Sequence, residues 1–587
     1  MISIINSISG NCLKRYSLFF LFVIFLFSVN SQAYFTAKDT ICIDDSVVIT
    51  NLSRDATSYY WNFCSGNLSY IPGGENLSNS GKLSEPAFID FAKQNDEFYA
   101  FITNHNNATI TRNYYGSDFL EDPQSDVLNV LGGIITDKHL QGIQVLYDND
   151  SDSWYVFVVG GQREDSKLVR LNFGNSLSLT PTVINLGNLN NLLDTPIDLF
   201  ITLENSNWIG FTVNQNTNTV TRFDFGASLS NNSPGAVNLN ISSNFLNTPC
   251  GILPIKENGN WYMFISNYRG HDISRLDFGS DLLNNNPAGE SIGNSAFLYY
   301  PFDLTVLRDC EHLYGFVVNR YNDIVRLDFN DGLDNIPEFT SLGKIGNLYN
   351  PQGISDVFRV GDSLYAFVAN IDNSTITRLN FPGCTNASPS SSELRDPPAV
   401  RYNEAGQYNI NLTIDEGLPQ QENYCIDIVV LASPEVSLGN DTLIPAGSVI
   451  QLSPDTTYST YLWSTGSTEP SIEVDEAGIY SLTITNEYGC KSTDEIEVTM
   501  DIGIPNFFTP NADGYNDTWQ IPFLDSEPDA EIWIYDRFGN LIISYKAGED
   551  EWNGTLNSKL LPVGTYWYII KAPGIKKPYK GPVTIKY

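Results

Sequence analysis

Residues 211–226 read FTVNQNTNTVTRFDFG, and close versions recur as FISNYRGHDISRLDFG at 264–279, FVVNRYNDIVRLDF at 316–329 and FVANIDNSTITRLNF at 367–381. No chemistry-bearing residue holds a fixed place in the repeat, so its regularity speaks for architecture. The arginine after the Ile/Val-x step anchors six copies, at Arg112, Arg170, Arg222, Arg275, Arg326 and Arg378, with successive gaps of 58, 52, 53, 51 and 52 residues. A period near 50 built from several short strands is the signature of a β-propeller blade. Each unit opens with a turn and a short strand, as in TPIDLFITL (195–203) or NPQGISDVF (350–358). A strand such as LYAFVAN (364–370), then one like ITRLNF, then a segment like TVINLGNL (182–189) complete four strands, a to d from the axis outward.

The sixth copy ends at Phe381 without a d strand, while NFCSGNLSYIPGGENL (62–77) aligns with DFGASLSNNSPGAVNL (224–239) and precedes the first a strand. An unpaired edge strand invites aggregation. Adding the amino-terminal strand to the sixth blade pairs that edge and closes a six-bladed ring over 67–382. One blade cannot bury its apolar face alone, but stacked neighbours can. In VTRFDF (220–225) Val220, Arg222 and Asp224 share one face and Thr221, Phe223 and Phe225 the other. The recurring arginine with Asp or Asn two residues on therefore reads as a tie between blades. The asparagines closing the b strands (Asn104, Asn214, Asn267, Asn319, Asn370) read as turn residues. Pro351, Gly353, Ile354, Leu364, Tyr365, Asn370, Ile376 and Arg378 give the units a resemblance to NHL-type propeller repeats, with an additional FGxSL…P insertion.

Residues 41–64, ICIDDSVVITNLSRDATSYYWNFC, resemble the front half of a PKD domain through Trp61, Asn62 and Phe63, with Cys64 where that family has glycine. The rear half, VRYNEAGQYNINLTI (400–414) and YCIDIVVL (424–431), follows the propeller. This implies one PKD/Ig-like sandwich split into 34–66 and 395–432, with the propeller inserted in a loop and a linker at 383–394; insertion is tolerated where chain ends lie close. Cys64 and Cys384 flank the insertion and form one disulfide candidate, and Cys42 with Cys425, on the first and last sandwich strands, form another. Cys250, Cys310 and Cys490 are left unassigned. Residues 433–500 alternate apolar and polar at strand spacing, giving a second Ig-like sandwich with Trp463 as core tryptophan and Tyr480 as corner tyrosine.

The carboxyl-terminal 501–587 contains IPNFFTPNADGYNDTWQI (504–521), IWIYDRFGNLI (532–542), WNGTLNSKLLPVGTYWYIIK (552–571) and KGPVTIKY (580–587). Through Phe508, Thr509, Pro510, Asn511, Asp513, Gly514, Asn516, Asp517, Arg537, Gly539, Trp552, Gly554, Gly564, Tyr566 and Tyr568 it resembles the gliding-motility-associated C-terminal domain, the type B sorting domain of the Bacteroidota type IX secretion system. Asp536 and Phe538 depart from the family's Asn and Trp. The resemblance implies a β-sandwich read by the outer-membrane translocon. Asn511, Asp513, Asn516 and Asp517 are oxygen ligands of the kind Ca²⁺ takes, though their spacing is not an EF-hand loop and such clusters also build turns.

Composition sets the remaining limits. The formal charge is −36, which repels phosphate backbones and excludes nucleic acid as a partner. Tyr, Phe, Val, Ile, Thr, Asn and Gly dominate without long helical periodicity, an all-β profile. Residues 1–33, with Lys14-Arg15, the run YSLFFLFVIFLFSV and Ser31-Gln32-Ala33, read as a secretory signal peptide. Export permits disulfides, and removal of Cys12 leaves an odd number of cysteines. The four histidines, His105, His139, His271 and His312, occupy different places in their repeats, and no metal or triad spacing emerges. At the start of strand a the blades show Phe88, Gly142, Asp198, Gly251, Asp303 and Gly353. Asp198 and Asp303 there are candidates for binding a cation or sugar in the channel, or for capping turns. The expected protein is secreted or displayed on the cell surface, with the type IX machinery as one partner. Its propeller binds an extracellular glycan or protein; a polysaccharide or peptide hydrolase or lyase, or a structural adhesin, is the alternative.

Overall fold

The computed structural model describes residues 32–64, 67–77, 81–119, 122–136, 139–293, 296–310, 312–416, 421–445, 448–549, 551–573 and 578–587; the expected signal peptide lies almost wholly outside them. Strands dominate, and the helical pieces among the described residues are 3-10 turns at Asn67–Ser69, Arg163–Asp165 and Pro522–Ser526. The chain divides into two compact units. One holds Ser46–Asn403 and Gln407–Val429 with the described residues before Thr40; the other holds Thr40–Asp45, Glu404–Gly406 and Val430–Tyr587.

In the first unit, five four-stranded antiparallel sheets follow one another with inner strands Pro86–Gln94, Leu140–Asp148, Pro196–Glu204, Pro249–Glu257 and Pro301–Asp309. The sixth sheet starts with Pro351–Ile354, continues through Ser363–Asn370 and Thr375–Phe381, and takes its outermost strand from Gly73–Leu77. That pairing runs Ile376↔Leu77 to Asn380↔Gly73. Each inner strand packs beside the next and the sixth beside the first, so the ring is a closed six-bladed propeller. Trp61 and Tyr60, before the propeller, pair with Leu412 and Thr413, after it. The sandwich is thus completed across the insertion. Its core buries Trp61, whose indole N–H donates to Leu394 O at 2.9 Å. Asp415 Oδ1 accepts from Thr57 N, Thr57 Oγ1 and Ser58 N at 2.6–3.1 Å.

The repeated residues do what architecture requires. Arg170 Nη1 donates to Leu229 O and Asn231 O in the next blade, and Arg222 Nη1 to Leu283 O and Asn285 Oδ1. Arg112, Arg275 and Arg326 reach the following blade in the same way. The tie therefore runs mainly to carbonyls of the FGxSL insertion, while Asp224 stands 3.5 Å from Arg222 within the same strand. Each buried b-strand asparagine joins its own turn to the loop before strand a. Asn214 Oδ1 accepts Asp194 N at 3.0 Å while its amide donates to Thr219 and Thr221.

Three disulfides are present among the described residues. Cys64 joins Cys384 where the chain leaves and re-enters the sandwich. The expected Cys42–Cys425 pair is corrected: Cys42 bonds Cys490, and Cys425 bonds Cys310. Ile43 N donates to Leu431 O, which aligns Cys42 with the far end of strand Glu422–Leu431. At about 3.3 Å per residue, Leu431 is ~20 Å from Cys425, far outside the ~7 Å Cα separation a disulfide spans. Among the described residues Cys250 is the free cysteine, and it is buried.

In the second unit, Thr442–Pro445, Lys491–Asp501, Gly478–Thr485 and Thr460–Trp463 form one sheet, in that order, and Ile450–Leu452 pairs with Ile472–Val474. Trp463 is buried with its N–H on Glu469 O, and Tyr480 Oη donates to Glu476 O. A five-stranded sheet follows, ordered Phe507–Phe508, Tyr579–Ile585, Gly564–Lys571, Glu531–Tyr535 and Leu541–Lys546, with Phe508, Trp519, Trp552, Ile532 and Val583 in its core.

Candidate functional site

The six inner strands converge on a cavity of about 70 Å³ lined by Asp90, Gln144, Asp198, Asp303 and Asp356 among apolar side chains. With a water occupying about 30 Å³, this space is too small for a sugar ring. Asp198 and Asp303 both line it, as the sequence indicated. Their oxygens are already engaged: Asp198 Oδ1 accepts Leu199 N (2.8 Å) and Oδ2 accepts Ile252 N of the next blade (2.9 Å). Asp303 accepts Leu304 N and, across to the sixth blade, Ile354 N. Asp90 does the same with Phe91 N and Val145 N, and Gln144 clasps Ile201 through both its amide atoms. These side chains are staples between adjacent blades. Burial pushes Asp90 and Asp303 up to about 7 and raises Asp198 and Asp356 as well; neighbouring carboxylates add to the rise at Asp90, Asp198 and Asp303, where the amide bonds oppose it, and the Thr305 hydroxyl opposes it at Asp356.

Gly142, Gly251 and Gly353 alternate with Phe88, Asp198 and Asp303 for a steric reason. A Cβ on each would lie 2.7–2.8 Å from the Cα of Asp198, Asp303 and Phe88 respectively, in the following blade. The inner ring closes because every second blade presents no side chain there.

At the end of the ring bearing the b–c turns, the framework position, asparagine in five blades and Gly160 in the second, is followed by a different residue in each: His105, Gly161, Gln215, Tyr268, Arg320 and Ile371. The second residue of strand a also varies, as Ala87, Gln141, Ile197, Cys250, Phe302 and Gln352. Variation in single positions of an otherwise regular repeat is the signal that sequence reading passed over. Here these residues meet. The Phe88 and Phe302 rings are 6.0 Å apart across the mouth, and the Arg320 guanidinium sits 5.2 Å from the Phe302 ring. Gln215 Nε2 donates to Cys250 Sγ at 3.3 Å. The Tyr268 ring packs at a tilt 4.7 Å from that of Tyr300, and His271, Tyr299 and Tyr321 extend the aromatic rim. The His105 ring lies 4.6 Å from that of His139, and burial followed by this neighbour lowers its pKa.

Larger clefts lie near the a–b turns, one of about 880 Å³ lined by Lys256, Glu257, Arg308 and Tyr424. Their charges are mutually satisfied: Arg308 pairs with Glu257, Lys256 with Glu204, and Arg359 with Glu416. Among the described residues no group of three or more His, Cys, Asp or Glu is placed to hold a metal ion.

The carboxyl-terminal motif residues form a core and a turn scaffold. Phe508 packs 5.1 Å from Trp552, which lies 5.5 Å from Tyr566; Thr509 N donates to Asn516 O. Asp517 accepts Ala512 N and Gly514 N, while Asn511 and Asp513 bond each other and Asp513 accepts Tyr515 N. These oxygens serve the turn. Gly514 (φ 91°) and Gly539 (φ 82°) occupy left-handed turn positions; Gly554 admits Pro510, which a Cβ would meet at 2.9 Å. Arg537 lies 4.9 Å from the exposed Phe538 ring.

Residues 502–585 match the family model of the CHU_C Type IX secretion signal domain. The chain therefore carries a type IX secretion signal, which implies export and engagement of that machinery. No curated protein matches the chain. Similar solved structures include the major allergen Mala s 1 of Malassezia sympodialis, at 11% identity and TM-score 0.37, over 53% of this chain and 96% of that one. Another is a DUF4623 family protein from Bacteroides eggerthii, at 11% identity and TM-score 0.35, over 63% and 88%. A third is the exo-β-1,3-galactanase 1,3Gal43A of Clostridium thermocellum, at 10% identity and TM-score 0.32, over 61% and 99%.

Proposed function

We propose that this chain is an extracellular binding protein. Sec export by residues 1–33 precedes type IX secretion, and a propeller spanning 67–382 presents a ligand site at its b–c-turn mouth. The PKD/Ig-like segments 34–66 and 395–432 and the module 433–500 act as spacers between propeller and sorting domain. The observation that carries the reading is the mouth itself: five blades repeat a framework asparagine, the second has Gly160 in its place, and the next residue varies, placing Arg, His, Gln and Tyr around one axis. Binding is favoured over catalysis because Asp90, Asp198 and Asp303, the carboxylates nearest the axis centre, are spent on backbone amides. The secreted full-length chain is screened against arrayed glycans and extracellular proteins. Specific capture by one class, lost when mouth residues are replaced, supports the reading. Turnover of a polymer, abolished by replacing Asp198 and Asp303 together, overturns it. For the address, deletion of 501–587 leaves the protein in the periplasm; normal appearance in the medium refutes that part.

A further inference from the structure

Arg320 is out of keeping with its surroundings. Formal charge −36 makes unpaired cations scarce, yet this half-buried guanidinium has no carboxylate partner among the described residues. Its one hydrogen bond runs from Nε to Asn350 Oδ1, and its planar face rests on Phe302. The nearby Asp372 is itself held by Asn350 Nδ2 at 2.8 Å. Both terminal nitrogens are thus without a protein acceptor among the described residues and open to the mouth. Burial lowers the guanidinium pKa, and Tyr268 and Asp372 oppose the shift without cancelling it. At the second position of their inner strands, Gln141 and Gln352 are 5% and 4% exposed, and their Oε1 atoms have no hydrogen-bond partner. A buried, unsatisfied amide is costly, and a glutamine amide can turn end for end to offer either N–H or C=O.

Resting on the reading of the mouth as a ligand site, we infer that it binds a carboxylated sugar, the uronate unit of an acidic polysaccharide. Each element has a counterpart in such a ligand. A carboxylate matches the paired Nη donors of a fixed guanidinium, the strongest neutral-pH geometry for that group. Ring hydroxyls both donate and accept, which suits the Gln141 and Gln352 amides. The C–H face of a pyranose suits the partly exposed Tyr268 ring. The rim of Tyr299 (48% exposed), Tyr300 and Tyr321 (63% exposed) continues outward from the mouth, offering aromatic surface to further sugar units. The narrow cavity beneath stops the ligand at the surface, so an internal unit of a chain can dock as well as an end.

The test is calorimetric titration of the secreted full-length protein with tetrasaccharides of galacturonate, mannuronate, guluronate and glucuronate, each beside its carboxyl-reduced form, and with acidic peptides. The expected result is binding of at least one uronate, weakened tenfold or more by carboxyl reduction and by Arg320→Gln. Gln141→Ala with Gln352→Ala should weaken the same ligand in a protein whose near-ultraviolet circular dichroism is that of the folded parent, which separates recognition from misfolding. Equal affinity for the reduced sugar, or an unchanged affinity in a folded Arg320→Gln protein, overturns the inference while leaving the binding-module reading intact. Binding of acidic peptides alone, dependent on Arg320, overturns the sugar class and keeps the mouth. If neither these probes nor the broader screen bind, both readings fall.

Discussion

Replacing Gly251 by alanine adds one methyl group at the tightest point of the inner ring. Its Cβ would lie 2.8 Å from Asp303 Cα, 2.8 Å from Asp303 Oδ1 and 2.9 Å from Phe302 O. Two of these three atoms are backbone of the fifth inner strand, which is bonded in turn to the sixth through Asp303 Oδ2 and Ile354 N at 2.9 Å. Relief requires one strand to move by about half an ångström or more, and a closed ring gives it nowhere to go. Overpacking of a dense core costs about 1–3 kcal/mol, and stretching the Asp303 staple removes about 1 kcal/mol more. A loss of about 2–4 kcal/mol follows, a fall of several degrees in the thermal midpoint. Gly235→Ala is the control, since nothing lies within 4 Å of a Cβ there, and it should shift the midpoint by less than about 0.5 kcal/mol equivalent. Thermal unfolding followed by near-ultraviolet circular dichroism compares the two. If Gly251→Ala melts with Gly235→Ala, the inner strands are not interlocked and the account of alternating blades is wrong.

Because Asp90 and Asp303 are raised to about 7 from an ordinary 3.8, the folded state holds their protons more tightly than the unfolded chain. Their contribution to stability is full below about pH 4 and is lost as pH rises towards 7. The thermal midpoint should drop between pH 5 and pH 8, and a Asp303→Asn variant should flatten the profile; a rise over that interval contradicts the assignment. The buried Cys250 thiol, pushed up to about 12 by burial, should resist maleimide in the native protein and react on denaturation, as intact-mass spectrometry will show. Breaking the Cys310–Cys425 link, 115 residues in span, by Cys310→Ser with Cys425→Ser should cost about 4–5 kcal/mol in the chain-entropy model. Denaturant titration without reductant measures this, and an unchanged midpoint refutes it.

The ring was legible because period and orphan strand are both one-dimensional facts: Arg222 repeats at Arg275 with its flanking pattern, and the segment ending at Leu77 carries a d strand with no blade before it. Asp198 and Asp303 were recognisable as axial from their place in strand a. Their use as staples was not, since Ile252 N and Ile354 N come from other blades. Cysteine pairing was legible only at Cys64 and Cys384, where the insertion brings two chain ends together. Cys42, Cys310, Cys425 and Cys490 lie on separate elements whose register decides who meets whom. Arg320 escaped notice because it follows a framework residue, and its lack of an anion is a property of surroundings.

The sixth sheet also sets a timetable. Glu75 and Arg378 meet within that sheet although 303 residues separate them. At a synthesis rate of about 5–20 residues per second, the earlier strand waits roughly 15–60 s for the later one to exist. Until then five sheets can form in order as they emerge, while the toroid stays open with one border exposed. Any helper protein that guards this chain on its way out of the cell therefore has a defined client: a nearly finished arc whose last seam awaits its oldest segment.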